Sequence, residues 1–271
     1  MVKDKHVLIV AAGSTTKKHW DKIEKFIKET KPIIIGTNNI MHIVKPDIHF
    51  WGSAKRWKKF YHLVDKDSKL MFPHYFPKRI IKKTWKGSCG FFGCEPRGWK
   101  FGSEDKKSYQ YKRCKMTIKN GKMRGCFGDI ATKAVFWSYI KGAKKISLVG
   151  NDGYTLYREK DYENDSEAQH CYGKGFTDGF SYDYGRRRDW LKYKTLREIF
   201  KYGMKKYGFG FEMITPTIYE EFYNPNILNI EKDPNQQKWV EPSTDKERKY
   251  LYEGCRRSRL PSKERWYKYN G

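Results

Sequence analysis

The chain changes hydrophobic rhythm several times, and each change marks an element. Short, mostly apolar runs stand at residues 7–11, 32–36, 47–51, 145–149 and 209–214, with a further one at 69–72. Runs of this length without alternation suit strands covered on both faces, as in a parallel sheet. Between them the period lengthens to three or four residues. Residues 14–30 place Trp20, Ile23 and Ile27 on one helical face, and 129–141 do the same with Ile130, Ala134, Trp137 and Tyr139 or Ile140. A third helical pattern over 189–207 offers Leu191, Leu196, Ile199, Phe200 and Met204 as inward residues. Ser14 or Thr15 is placed to cap the first helix, Asp129 to open the second and Gly142 to end it. Strand and helix in alternation predict an α/β fold, a Rossmann-like, mostly parallel sheet with helices on both faces. Residues 1–230 read as one domain and 231–271 as a basic, aromatic tail that wraps the surface or frays.

From residue 78 to 124 the periodicity dissolves into lysines, glycines and aromatics, which reads as an insertion of short strands and loops at the sheet edge. Asn120-Gly121 between two short runs predicts a hairpin there. Charge sharpens the picture. The formal net charge is +26, and residues 54–126 alone hold 21 Lys and Arg against 5 Asp and Glu. Such a field attracts nucleic acid, anionic lipid headgroups or phosphorylated glycans, although a solvated Lys-rich surface would have the same composition. Aromatic content of 17% points to a core built largely of rings. No apolar run of ~18 residues exists, so no bilayer-spanning helix is expected. The first ten residues read as a strand start without a signal-peptide core, from which a cytoplasmic protein is expected, peripheral at the inner membrane surface if the basic region binds lipid. Six cysteines lack a Cys-x2-Cys pair, so reduced thiols are expected in place of a zinc site.

Ligands of open α/β sheets bind beyond the carboxyl ends of the strands, so the residues that follow each strand are the ones to inspect. The first strand ends in Gly13-Ser14-Thr15, a tight turn into a helix whose N–H groups would seat a phosphate. A bulky residue at Gly13 is expected to abolish nucleotide binding while leaving the fold largely intact. The second strand ends in Asn38-Asn39, whose amides suit base or ribose edges or an Asx turn, and the third in Gly52-Ser53. The strand at 145–149 runs into Asn151-Asp152-Gly153-Tyr154-Thr155-Leu156-Tyr157, a polar, aromatic loop no core requires. Of seven histidines, His170 alone lies in a Gly- and Tyr-rich loop downstream of that turn, while His49 and two others sit beside strand ends.

These segments, with residues 128–153 and Ile214-Thr215-Pro216, resemble a superfamily of motility accessory factors, 6-hydroxymethylpterin pyrophosphokinase-like proteins and small bacterial lipo-oligosaccharide sialyltransferases. The resemblance implies a nucleotide-binding sheet and, in its transferase branch, a cytidine-monophosphate sugar donor without a metal or other cofactor. It also implies a histidine base and tyrosines on the donor phosphate. Carried onto this chain, Gly13 and Ser14 match the phosphate seat, with Thr15 beside them as a candidate contact, Asn38 or Asn39 matches an asparagine after the second strand, and Ser53 stands where a second asparagine would be. Tyr154 and Tyr157 match the tyrosines after the late strand and His170 the base, Asn151 stands beside them as a candidate nucleotide contact, and Asp152 is shared with the accessory-factor and pterin branches. The expectation is a glycosyltransferase that moves a nonulosonic-acid-like sugar from a nucleotide-sugar donor to an anionic glycan or glycolipid. Two alternatives stand beside it. One is a pyrophosphokinase-like ATP enzyme in which Asp152, with Asp161 or Asp165, holds Mg²⁺. The other is a single-stranded nucleic-acid-binding protein built on the basic insertion.

Overall fold

His6–Val10 (β1) is the central strand, and the remainder of the fold is laid out on either side of it. The structure is a computed structural model that describes residues 1–95, 117–119, 122–124, 129–157, 189, 197, 200–201, 204–208, 210–231 and 233–238. To one side of β1 lie β2 (Ile33–Thr37), β3 (Ile48–Phe50), β4 (Lys69–Pro73) and β5 (Cys89–Phe92). To the other side lie β9 (Lys145–Val149) and β10 (Glu212–Met213). The order is β10-β9-β1-β2-β3-β4-β5, and every pairing in this seven-stranded sheet is parallel. A second sheet joins β6 (Cys94–Glu95), β8 (Lys122–Arg124) and β7 (Thr117–Lys119), with β7 and β8 forming the antiparallel hairpin that Asn120-Gly121 predicts.

Side chains alternate across a strand, so β1 feeds two cores. Val7 and Ile9 pack with Ile35, Leu148 and the helix α5 (Ile130–Ile140) on one face. Leu8 and Val10 pack with Ile23 and Phe26 of α2 (Trp20–Thr30) on the other. Farther along that second face, α3 (Ala54–Phe60) and α4 (Lys78–Thr84) cover β3 and β4 through Trp57, Phe60, Ile80 and Ile81. Trp57 is fully buried, with the rings of Trp51 and Phe72 at 5.1 and 5.0 Å. The ring-built core expected from composition is this one. α5 is buried nearly all round, wedged between the sheet and the rings of Phe200 and Phe222. Asp129 caps it as expected, accepting from Thr132 N–H at 2.7 Å and the Thr132 hydroxyl at 2.9 Å. Gly142, with φ +79°, closes its far end.

Two elements differ from the sequence reading by more than a residue at either end. The helix expected over 14–30 is two helices, α1 (Ser14–Lys18) and α2, divided at His19 with φ −116° and ψ 25°. Thr15 and Thr16 are buried and tied to the sheet, Thr16 by donating to Ala11 C=O at 2.8 Å, so the first turn follows the sheet edge and the rest swings away. The N-cap of α1 is Gly13, which has no side chain to cap with, and neither Ser14 nor Thr15 fills that position. The last strand keeps only Glu212–Met213 of the expected 209–214. The described residues between 189 and 207 are helical, with Phe200 fully buried; Leu191, Leu196 and Ile199 lie outside them. No helix among the described residues is long and apolar enough to cross a membrane.

Candidate active site

The chain moves outward from β1 through β2 to β5, then returns to β9 on β1's opposite flank. β1 and β9 therefore flank the switch point, at whose carboxyl ends such sheets bind ligands. Residues 11–15 and residues 150–155 meet there. Ala11 N–H donates to Val149 C=O at 2.9 Å and Gly13 N–H to Gly150 C=O at 2.8 Å, so the two loops leave the sheet in register.

Asp152 sits at the centre and is 4% exposed. Its Oδ2 accepts from Thr15 N–H at 2.9 Å and from the Ser14 hydroxyl at 3.4 Å, and its Oδ1 from the Thr15 hydroxyl. The carboxylate thus supplies, from 137 residues away, the cap that Gly13 cannot. Burial pushes the Asp152 carboxyl up from its ordinary 3.8 to about 7; the Thr15 and Ser14 hydrogen bonds oppose this, and the nearby charge of Asp189 adds to it. Desolvation wins because two hydroxyls and one amide replace only part of the hydration a carboxylate loses.

A hydrogen-bond relay continues behind the carboxylate. Thr15 Oγ1 lies 3.1 Å from Thr215 Oγ1, which accepts from Gly150 N–H at 2.9 Å. Each threonine hydroxyl has one proton to give. When Asp152 is ionised, Thr15 donates to it and Thr215 donates to Thr15; when Asp152 is protonated, the chain of donors can reverse. The surrounding loop is fixed by the segment after β10. Ile218 N–H donates to Asp152 C=O at 2.9 Å and the Thr217 hydroxyl to Asn151 C=O at 2.8 Å. A second buried carboxylate, Asp189, accepts from Thr155 N–H at 2.6 Å and the Thr155 hydroxyl at 2.8 Å.

The structure brings together Gly13, Ser14, Thr15, Asn151 and Asp152 from the residues singled out in the sequence. Asn151 Nδ2 is buried with no hydrogen-bond partner among the described residues. Tyr154 is half-buried in the same loop, whereas Tyr157 is buried in the core with the Lys18 ammonium 5.1 Å from its ring centre. Asn38, Asn39 and Ser53 hold the chain to itself. Asn38 adopts φ +51° and accepts from Gly52 N–H at 3.2 Å, Asn39 accepts from the Arg56 guanidinium at 3.0 Å, and Ser53 caps α3. His49, read as lying beside a strand end, is fully buried: its Nε2–H donates to Asn38 C=O, and burial lowers its pKa to about 4. His170, Asp161 and Asp165 lie outside the described residues.

One expectation is overturned. A Cβ on Gly13 would stand 2.3 Å from Asp152 Oδ2 and 2.5 Å from Gly150 C=O. A valine there cannot leave the fold intact, because both atoms belong to the contact that joins β1 to β9. Sequence reasoning also missed Thr215 and Asp189 as members of the site. Thr215-Pro216-Thr217 was legible as a strand end and Asp189 as a helix start, but neither signal names a partner. Neither a known protein family nor a curated protein matches the chain.

Proposed function

We propose that this chain is a glycosyltransferase that takes a nucleotide-activated sugar, CMP-linked and nonulosonic-acid-like, at the β1/β9 switch point. It passes the sugar to a hydroxyl of an anionic surface glycan or glycolipid. The observation that carries this reading is Asp152, a buried carboxyl with a pKa of about 7 set between the loops that leave the carboxyl ends of β1 and β9. A general base works best with a pKa near the operating pH, and a carboxyl reaches that range only in surroundings of this kind. In the reaction an acceptor oxygen bonds to the anomeric carbon, the bond from that carbon to the donor phosphate breaks, and the acceptor proton goes to a base. Asp152 accepts three hydrogen bonds, and an ionised carboxylate has room for about four, which leaves a position for a proton. The resemblance offers His170 for the same role, and the two are distinguishable by mutation. Tyr154, half-buried in the loop, suits the donor phosphate better than the core residue Tyr157.

A Mg²⁺-dependent phosphoryl-transfer enzyme is the second reading, favoured by the electrostatic coupling of the buried carboxyls Asp152 and Asp189. Among the described residues no group of three or more metal-ligating side chains is assembled. The test is a donor-consumption assay with CMP-, UDP- and GDP-sugars and with ATP, each with chelator and with Mg²⁺, beside thermal unfolding with each nucleotide. Release of CMP that persists in chelator is the expected result. ATP turnover abolished by chelator would transfer the assignment to the second reading, and indifference to every nucleotide would remove both.

A further inference from the structure

The helices α3 and α4 carry basic residues and no acidic residue of their own. Residues 48–64 and 68–94 contain ten Lys and Arg and no Asp or Glu. Asp65 and Asp67, the acids between those stretches, are both engaged by Lys45, at 2.8 and 3.3 Å. The apolar positions of the two helices, Trp57, Phe60, Ile80 and Ile81, are buried against β4. Their amphipathic period therefore turns Lys55, Lys58, Lys59, Lys78, Lys82 and Lys83 outward, all exposed. Elsewhere the protein treats an exposed helix differently. On α2, Lys28 pairs with Glu24 at 3.0 Å and Lys25 with Glu29 at 3.8 Å, the mixed pattern of a solvated face. A general abundance of lysine would load the helices alike, yet α2 carries Asp21, Glu24 and Glu29 while α3 and α4 carry no acid of their own.

Apolar exposure coincides with this charge. Apart from Met1, the exposed large hydrophobic side chains among the described residues are Leu63, Tyr75 and Phe91. Leu63 follows α3 directly, Tyr75 precedes α4, and Phe91 lies on β5 beside Phe72, under the α3/α4 side of the sheet. The Lys78 ammonium stands 5.3 Å from the Phe91 ring centre, and Lys133 stands equally far from Tyr75 while donating to its hydroxyl at 2.7 Å. Aromatic rings with ammonium groups beside them match the depth profile of a bilayer interface, ring at the acyl boundary and ammonium at the phosphates.

We infer that the outer face of α3 and α4, with Leu63, Tyr75 and Phe91, docks on an anionic lipid bilayer. Charge complementarity selects a polyanion, and the apolar residues select the bilayer over a nucleic acid. A leucine cannot stack on bases, and each of the two rings already has a lysine ammonium near its face. α3 and α4 start at the carboxyl ends of β3 and β4, so this surface begins at the same edge of the sheet as Asp152. The inference goes beyond the proposed activity and does not need it.

Flotation of the full chain with phosphatidylcholine vesicles, with and without phosphatidylglycerol, tests it. The wild-type protein should float with the anionic vesicles and stay down with the neutral ones. A variant with Lys58→Glu, Lys59→Glu, Lys82→Glu and Lys83→Glu should lose partitioning by about a thousandfold or more. A second variant with Lys3→Glu, Lys5→Glu, Lys25→Glu and Lys28→Glu makes the same change in net charge elsewhere and should lose far less. Leu63→Ser with Phe91→Ser should lose the part of the binding that survives high salt, where exposed charges are screened. Circular dichroism confirms that each variant is folded; these positions are exposed, so folding should hold. Equal loss in both charge variants would reduce the effect to net charge and overturn the surface. Failure to float, or capture of a single-stranded RNA oligonucleotide at concentrations where vesicles do not bind, would also overturn it.

Discussion

Replacing Asp152 by Asn isolates the consequence of burying that carboxyl. With a folded pKa of about 7 against an ordinary 3.8, the native state holds the proton more tightly than the unfolded chain does. The linked stabilisation is fully present below pH 3.8, falls as pH rises through the window between the two values, and is gone once pH has passed about 7. Each pKa unit is worth about 1.4 kcal/mol, so the whole window amounts to about 4 kcal/mol, of which about 2 kcal/mol falls between about pH 5 and 7. An asparagine copies the protonated acid: its oxygen can accept from Thr15 N–H, and its amide can donate to Thr15 Oγ1, which then donates to Thr215. Asp152→Asn should therefore gain on the wild type as pH rises from about 3.8, with the difference between their midpoints of thermal unfolding widening by on the order of 5 °C between about pH 5 and 7 for a chain of this size. The assay is calorimetry or circular dichroism of both proteins in matched buffers, read as a difference so that other titrating groups cancel. Parallel profiles would show that Asp152 is ionised throughout, and the argument from desolvation would fail together with the base assigned to it.

Gly13→Val should unfold the protein or lower its thermal midpoint sharply, since the new side chain must displace either Asp152 or the Gly150 carbonyl; an unchanged midpoint would show that this contact does not hold β1 to β9. His170→Ala should reduce turnover by about a hundredfold, with donor affinity little changed, if the histidine is the base. Full turnover in His170→Ala, combined with loss in Asp152→Asn, would assign proton transfer to Asp152 alone.

The central strands β1, β2 and β9 were legible in the sequence because each is covered on both faces and must be apolar at consecutive positions. The same holds for Asp129 as a cap, which acts on an amide three residues away, and for the Asn120-Gly121 hairpin. In each case the cause and its partner are neighbours in the chain. Tertiary structure decided what neighbours cannot. α1 breaks from α2 because Thr15 and Thr16 are drawn onto the sheet edge, and β10 shortens because only Glu212 and Met213 find register on Ser147 and Leu148. The phosphate seat read from Gly13-Ser14-Thr15 is occupied by a carboxylate 137 residues away, and Asn39, read as a ligand contact, is held by Arg56 on the next helix. Sequence periodicity states which face of an element is buried. It does not state which polar groups will meet at the end of a parallel sheet, because crossovers bring together loops far apart in the chain. Burial at such a meeting point, in turn, gave Asp152 a pKa that no property of the residue by itself contains.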